Sequence, residues 1–484
     1  MTGSHTWQTI PEMVLSAADR FGDSEAVVDG PLRLTFTELT HRIRCAAGAF
    51  AEWGIVKGDR VAVWAPNSAE WIIAAFGAMT AGAILVPVNT RFTAEEAADV
   101  VSRSGARVVL VQRGFLERDF DAAVPTIDLK SDVLTSGVPF ARDPSQWLRA
   151  DDVSDVIYTS GTTGKPKGAM MSHGQTLRMY EEWATLADLR EGDRYLMINP
   201  YFHTFGLKAG LVASFLRGAT MLPVAVFDVD AVVNLIAAER ITMLPGPPTV
   251  YHSLLAVPDK TMLATLRAGV TGAADIPVEL VKRIHDELPF QTLMTGYGLT
   301  EAGNVTLSRP GDSFADVATT AGLPCADVDV RIADDGEVLV RGYGVMLGYL
   351  DDPAATAEAI DAEGWLHTGD LGAFTESGRL RIVGRKKDMY IVGGFNVYPA
   401  EVEGVLSEHP QIAQAAVVGT PDARLGQVGK AFVVLRSGAD GPSADDIISW
   451  SRRRMAGFKV PRSVQFLDEL PTNATGKVVK DRLR

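Results

Sequence analysis

Short apolar runs alternate with segments of helical period along most of the chain. Residues 60–64, Arg-Val-Ala-Val-Trp, predict a strand, and residues 69–80 predict a helix with Trp71, Ile72, Ile73, Phe76 and Met79 on one broad face. Residues 83–88 predict the next strand. Thr93 followed by Glu96 makes a capping box for a helix running through Val101. Strands are expected again at residues 107–111, 195–198, 220–224, 241–244 and 292–295. Alternation of this length predicts an α/β fold with parallel sheets covered by helices. Residues 336–342 and 379–394 break the rhythm and read as antiparallel hairpins. A small βαβ-like unit is expected after Gly394, with helices at 400–408 and 444–453 and strands at 415–418 and 431–435. Charges at Arg385, Lys386, Lys387 and Asp388 interrupt an apolar pattern and place a joint between residues 1–385 and 386–484.

Composition adds limits. A chain of 484 residues exceeds one ordinary core, so two or more domains are expected. The net charge of −14 argues against nucleic acid or an anionic membrane as a partner, so an anionic substrate needs local positive groups. Cys45 and Cys325 are too few for a disulfide framework and lack metal-ligand spacing; both read as small buried residues, which suits a reducing cytoplasm. Residues 1–8 show no basic segment leading into an apolar core, so no signal peptide is expected. No apolar run approaches about 18 residues, so no membrane span is expected.

The densest chemistry is Thr159-Ser160-Gly161-Thr162-Thr163-Gly164-Lys165-Pro166-Lys167-Gly168, which follows the apolar Val156, Ile157 and Tyr158. Glycines let backbone N–H groups close on an anion, hydroxyls add donors and lysines add charge, which together describe a polyphosphate cradle. The spacing differs from the P-loop pattern of common kinases and GTPases. Further on, Gly296-Tyr297-Gly298-Leu299-Thr300-Glu301 follows a strand. Tyr297 could stack on a planar base, Thr300 donate to a phosphate and Glu301 hold Mg²⁺. Taken alone, that run is also an ordinary turn. In Gly364-Trp365-Leu366-His367-Thr368-Gly369-Asp370, the Asp370 carboxylate could accept from a ribose diol or serve its turn. Arg385 to Asp388, Lys477 in its loop and His203 among aromatics are each unremarkable alone.

Together and in this order, these runs resemble the AMP-forming acyl-CoA synthetases of the adenylate-forming superfamily, over essentially the whole chain. The resemblance implies a large N-terminal domain of two αβ-type subdomains plus a smaller β-barrel-like one, with a small mobile α+β C-terminal domain. It implies that Thr159, Ser160, Gly161, Thr162, Thr163, Gly164, Lys165 and Lys167 bind the phosphates of ATP. Tyr297 and the Gly272, Ala273, Ala274 segment would meet the nucleotide and acyl group. Thr300 would touch the α-phosphate, Glu301 would bind Mg²⁺, and Asp370 and Arg385 would hold the ribose. Lys387 would be the pivot and Lys477 the lysine acting in adenylation. Gly393 and Gly394, with Phe395, would line the tunnel for the pantetheine of coenzyme A, and His203 would stand beside the acyl pocket.

That pocket would be lined by residues 203–208, 245–248 and 272–274, with Gly296 and Val305. Its small and apolar residues leave room for a bulky, mostly apolar carboxylic acid, and Lys208, the one cation there, reads as a surface or helix lysine. Residues 241–255 and 388–405 look most like an actinobacterial branch acting on steroid-derived polycyclic propanoates, with polycyclic terpenoid acids as a related idea. The same motifs serve an enzyme that loads a carrier-protein pantetheine, or one that performs a single half-reaction with a partner ligase. A homodimer is compatible with all of these.

Overall fold

A computed structural model describes residues 7–159, 165–271, 278–436, 441–473 and 477–484. Among these, the strands make four sheets. The first, of nine strands, runs in the order Leu323–Pro324, Gly303–Leu307, Thr292–Leu299, Ala268–Thr271, Met243–Gly246, Arg194–Met197, Thr220–Pro223, Glu25–Asp29, Leu32–Thr35. Its central strands are parallel. The second, of seven strands, runs Gly348–Tyr349, Lys167–Ser172, Val153–Thr159, Ile84–Pro87, Arg60–Trp64, Ala106–Val111, Thr126–Asp128. A four-stranded antiparallel sheet, half a barrel, spans Val328–Ile332 to Leu380–Arg385. The chain leaves it at Arg385 and enters a last, five-stranded sheet at Tyr390.

Local chemistry explains the elements. The capping box predicted at Thr93 and Glu96 forms and starts the helix Ala94–Ser104, which Gly105 ends in the left-handed region at φ 61°. The strand Arg60–Trp64 and the helix Ala69–Thr80 have their expected limits. That helix is not amphipathic in place, however: every residue but Glu70 is buried, because it packs against the helices Phe36–Glu52 and Ile10–Leu15 and against strands of both large sheets. A Cβ at Gly77 would come within 2.5 Å of Ala46 Cβ, so glycine sets its contact with the helix Phe36–Glu52.

Two expectations change. Residues 415–418 and 431–435 belong to one long antiparallel pair, Ile412–Asp422 with Gly426–Leu435. The βαβ unit is instead Gly426–Leu435, the helix Ala444–Arg452 and a parallel strand Ser463–Phe466 whose sequence, mostly exposed in place, carries little apolar signal. Cys45 and Cys325 are free and buried as expected, and desolvation raises both thiols, Cys325 to about 12. No helix among the described residues is long and apolar enough to cross a membrane.

Candidate active site

The strand Val153–Thr159 pairs with Lys167–Ser172, Thr159 opposite Lys167, so these strands bracket the glycine-rich loop. Ser160, Gly161, Thr162, Thr163 and Gly164 lie outside the described residues, as do Gly272, Ala273 and Ala274. Lys165 is exposed, and the Lys167 ammonium lies 5.3 Å from the centre of the Tyr349 ring.

Gly296 to Leu299 are not a turn. The strand Thr292–Leu299 continues through them, leaving its parallel neighbour and pairing antiparallel with Gly303–Leu307. Glycine is needed for this close approach: a Cβ at Gly298 would fall 2.2 Å from the Gly303 carbonyl oxygen. Thr300 and Glu301 form the tip of the resulting hairpin.

Two clusters form there. In one, the Thr159 and Tyr349 hydroxyls donate to the same Glu301 oxygen, Oε1, at 3.0 and 3.1 Å. Burial, followed by the Glu301 charge, raises the Tyr349 phenol well above its ordinary pKa, so it stays a donor. Sequence reasoning missed Tyr349. It arrives on the two-residue strand Gly348–Tyr349, too short to leave a periodic signal, which pairs with Met170 and Ala169. In the other cluster, Tyr297 OH donates to Asp370 Oδ2 at 2.7 Å and Arg385 Nε lies 3.0 Å from Asp370 Oδ1. Asp370 and Arg385 are cross-strand partners in the four-stranded sheet. Desolvation, then Asp370, holds the Tyr297 phenol neutral far above its usual range.

His203 follows the strand Arg194–Met197, and its Nδ1 accepts the Phe205 N–H at 3.2 Å. Desolvation lowers it to about 4, so at neutral pH the ring is uncharged with its proton on Nε2. Lys208 is the clear correction. It sits on the π-helical stretch Phe205–Val212 and is neither exposed nor unpaired: its ammonium lies 2.9 Å from Asp155 Oδ2, with the two side chains 3% and 1% exposed.

Lys387 is exposed in the turn joining the last two sheets, where Lys386 N–H donates to Gly369 O. Gly393 and Gly394 turn between Tyr390–Val392 and Phe395–Val397 with φ of 56° and 91°, a backbone that favours glycine. Phe395, 58% exposed, stacks on Phe458 at 4.7 Å. Lys477 closes a turn of its own: its N–H donates to Asn473 Oδ1 at 2.9 Å and its carbonyl accepts from Asn473 N–H at 2.8 Å. Thus direct contacts join Thr159 to Glu301 and Tyr297 to Asp370 and Arg385, while Lys477 is carried on a separate element.

Known proteins resemble this chain in sequence and fold. The chain is 46% identical to 3-[(3aS,4S,7aS)-7a-methyl-1,5-dioxo-octahydro-1H-inden-4-yl]propanoyl:CoA ligase of Rhodococcus jostii, over 98% of both chains. It is also 46% identical to the Mycobacterium tuberculosis protein of the same name, over 99% of this chain and 98% of that one. The anthranilate CoA ligase AuaEII in complex with anthranoyl-AMP superposes with a TM-score of 0.90 at 26% identity, covering 98% of this chain and 96% of that one. Residues 15–350 match the AMP-binding enzyme family and residues 401–477 match the AMP-binding enzyme C-terminal domain. The chain therefore belongs to the AMP-binding enzymes and carries both the large domain and the C-terminal domain of that family.

Proposed function

We propose that this chain is an acyl-CoA ligase that activates a steroid-derived polycyclic propanoate with ATP and passes the acyl group to coenzyme A. The observation that carries the reading is the 46% identity, across nearly all of both chains, to two propanoyl:CoA ligases whose named acid bears a fused-ring dione. The contact clusters around Glu301 and Asp370 support it, because they gather the residues that the family resemblance assigns to one nucleotide.

The acid needs no general base, since a carboxylate with a pKa near 4 is ionised at neutral pH. Its oxygen attacks the α-phosphorus, the new P–O bond replaces the bond to the β-phosphate, and pyrophosphate leaves with the electron pair. The thiol sulfur of coenzyme A then displaces AMP from the acyl carbon and loses its proton to solvent. The obstacle in the first step is bringing two anions together, and Lys477 supplies an ammonium for it. The Asp370 carboxylate and Arg385 orient the ribose, and Tyr297 lies against the base. His203, neutral and holding an Nε2–H, walls the acid without adding charge.

Glu301 fits a Mg²⁺ ligand. Both hydroxyl bonds fall on Oε1 and neither uses Oε2, and Mg²⁺ commonly takes one or two carboxylates and completes its shell with phosphate and water. When bound there, the ion supplies positive charge to the triphosphate. Among the described residues no group of three or more His, Cys, Asp and Glu side chains gathers into a metal cage.

We place the division between a large domain and a mobile one after residue 385, with Lys387 as the pivot that removes Lys477 and brings Gly393, Gly394 and Phe395 to the acyl-adenylate. Incubation with ATP, coenzyme A and a panel of acids tests the reading. Thioesters of polycyclic propanoates should form in preference to those of acetate or plain medium-chain fatty acids, and the reverse preference rejects it. Turnover with free coenzyme A separates this reading from carrier-protein loading.

A further inference from the structure

The segment from Met197 to Lys208 joins the nine-stranded sheet to the π-helical stretch and carries His203. One end is gripped from a loop and the other from a strand of the seven-stranded sheet. At the first end stands Asn67, 6% exposed, in the loop after the strand Arg60–Trp64. Its Nδ2 donates to Met197 O at 2.8 Å and to Asn199 O at 2.9 Å, and its Oδ1 accepts the Tyr201 N–H at 2.9 Å. One amide thus spends both hydrogens and its carbonyl on three backbone groups of an irregular turn. Asn199 passes the restraint on, donating from Nδ2 to Pro245 O at 2.9 Å. The turn is tight as well: a Cβ at Gly206 would lie 2.1 Å from Pro200 O.

At the second end Lys208 pairs with Asp155, whose other oxygen accepts from Ser154 Oγ at 2.6 Å. Asp155 belongs to the strand Val153–Thr159, which ends at the hydroxyl that holds Glu301. A buried ion pair is a poor way to fill a core, since well-packed apolar side chains are often as stable or more so. A π-turn in a helix is likewise uncommon outside functional sites.

We propose that Asn67 and the Asp155–Lys208 pair are positioning residues that fix the segment 197–208 against the strand bearing Thr159, and so set the approach of the acid to the α-phosphorus. The proposal rests on the reading that His203 borders the acid. A displacement of about 1 Å at such a distance is enough to cost roughly a hundredfold in rate.

The double variant Lys208→Met/Asp155→Leu removes both charges together, so its core keeps no orphaned ion, and Asn67→Ser is the second, independent variant. Each is compared with the wild-type protein in thermal unfolding, in AMP binding by calorimetry, and in acid-dependent exchange of pyrophosphate into ATP. The expected result is an unfolding temperature and AMP affinity close to wild type, a KM for ATP within about twofold, and a kcat for exchange lowered about ten- to a hundredfold with a raised KM for the acid. Exchange kinetics within twofold of wild type in a folded variant overturns the proposal. Loss of AMP affinity in parallel with exchange also overturns it, because that pattern marks general structural damage. Absence of acid-dependent exchange in the wild-type protein would instead overturn the ligase reading beneath it.

Discussion

The two edges of the nine-stranded sheet use polar groups in opposite ways. At the N-terminal edge of its parallel strands, Arg194, Arg33 and Arg267 are each paired with carboxylates. Arg194, at the start of its strand, meets Glu25 at 2.6 Å and also Glu239, and Arg33 bridges the same two carboxylates at 2.6 and 3.0 Å. Arg267 spans Asp188 and Asp193 at 2.6 and 2.5 Å, and Asp193 accepts from Thr242 Oγ1 at 2.7 Å. At the C-terminal edge, the Thr204 and Thr271 hydroxyls are buried with no hydrogen-bond partner among the described residues, and His203 is held neutral by desolvation. Buried polar groups in finished structure are normally satisfied. In α/β sheets ligands come to the carboxyl ends of the strands. We assign the first edge to holding the sheet and the second to the proposed reaction.

That contrast can be broken from either side. Glu301→Gln, beyond the C-terminal edge, should lower acid-dependent pyrophosphate exchange by about a hundred- to a thousandfold while leaving the unfolding midpoint in urea within error. Arg267→Met at the opposite edge should do the reverse. It leaves the buried Asp193 without a cation while Asp188 keeps Arg190, and a loss of about 3 kcal/mol in urea unfolding is expected with kcat nearly unchanged.

Protonation gives a third handle. His173 is 2% exposed, and desolvation lowers it to about 3. The folded chain therefore refuses a proton that the unfolded chain takes up below pH 6.5. Stability is lost as pH falls from that point toward 3 and regained above it. Between pH 7 and 5 this site contributes a fall of about 2 kcal/mol, and His173→Phe should flatten the urea-derived slope by that amount.

The smallest effect is a matched pair. Thr242→Val removes a bonded hydroxyl and should cost about 1 kcal/mol, whereas Thr271→Val removes an unbonded one and should be neutral or slightly stabilising while shifting the preference among acids.

Much of this was legible in sequence because periodicity and capping are local. The strand at residues 60–64 and the capped helix after Thr93 needed no tertiary information. Of the motifs around Thr159, Glu301, Asp370 and Lys477, only the first is dense enough in glycine, hydroxyl and charge to stand out alone; the others stood out through their order along the chain. Legibility failed wherever the deciding partner lies far along the chain. Lys208 reads as a surface or helix lysine, and its burial is hidden until Asp155 is placed beside it. Asn67 looks like a loop residue until three backbone groups from beyond residue 196 converge on it. Gly296 to Leu299 read as a turn because two glycines carry no strand pattern, yet their lack of side chains is what lets the hairpin close.

The central claim is that one distant lysine serves the first half-reaction and is withdrawn for the second. Lys477→Ala should be assayed twice: in pyrophosphate exchange with acid and ATP, and in thioester formation from preformed acyl-adenylate and coenzyme A. The account predicts that exchange falls by about a hundredfold or more while thioester formation stays near wild type. Exchange as fast as in the unaltered protein would contradict it.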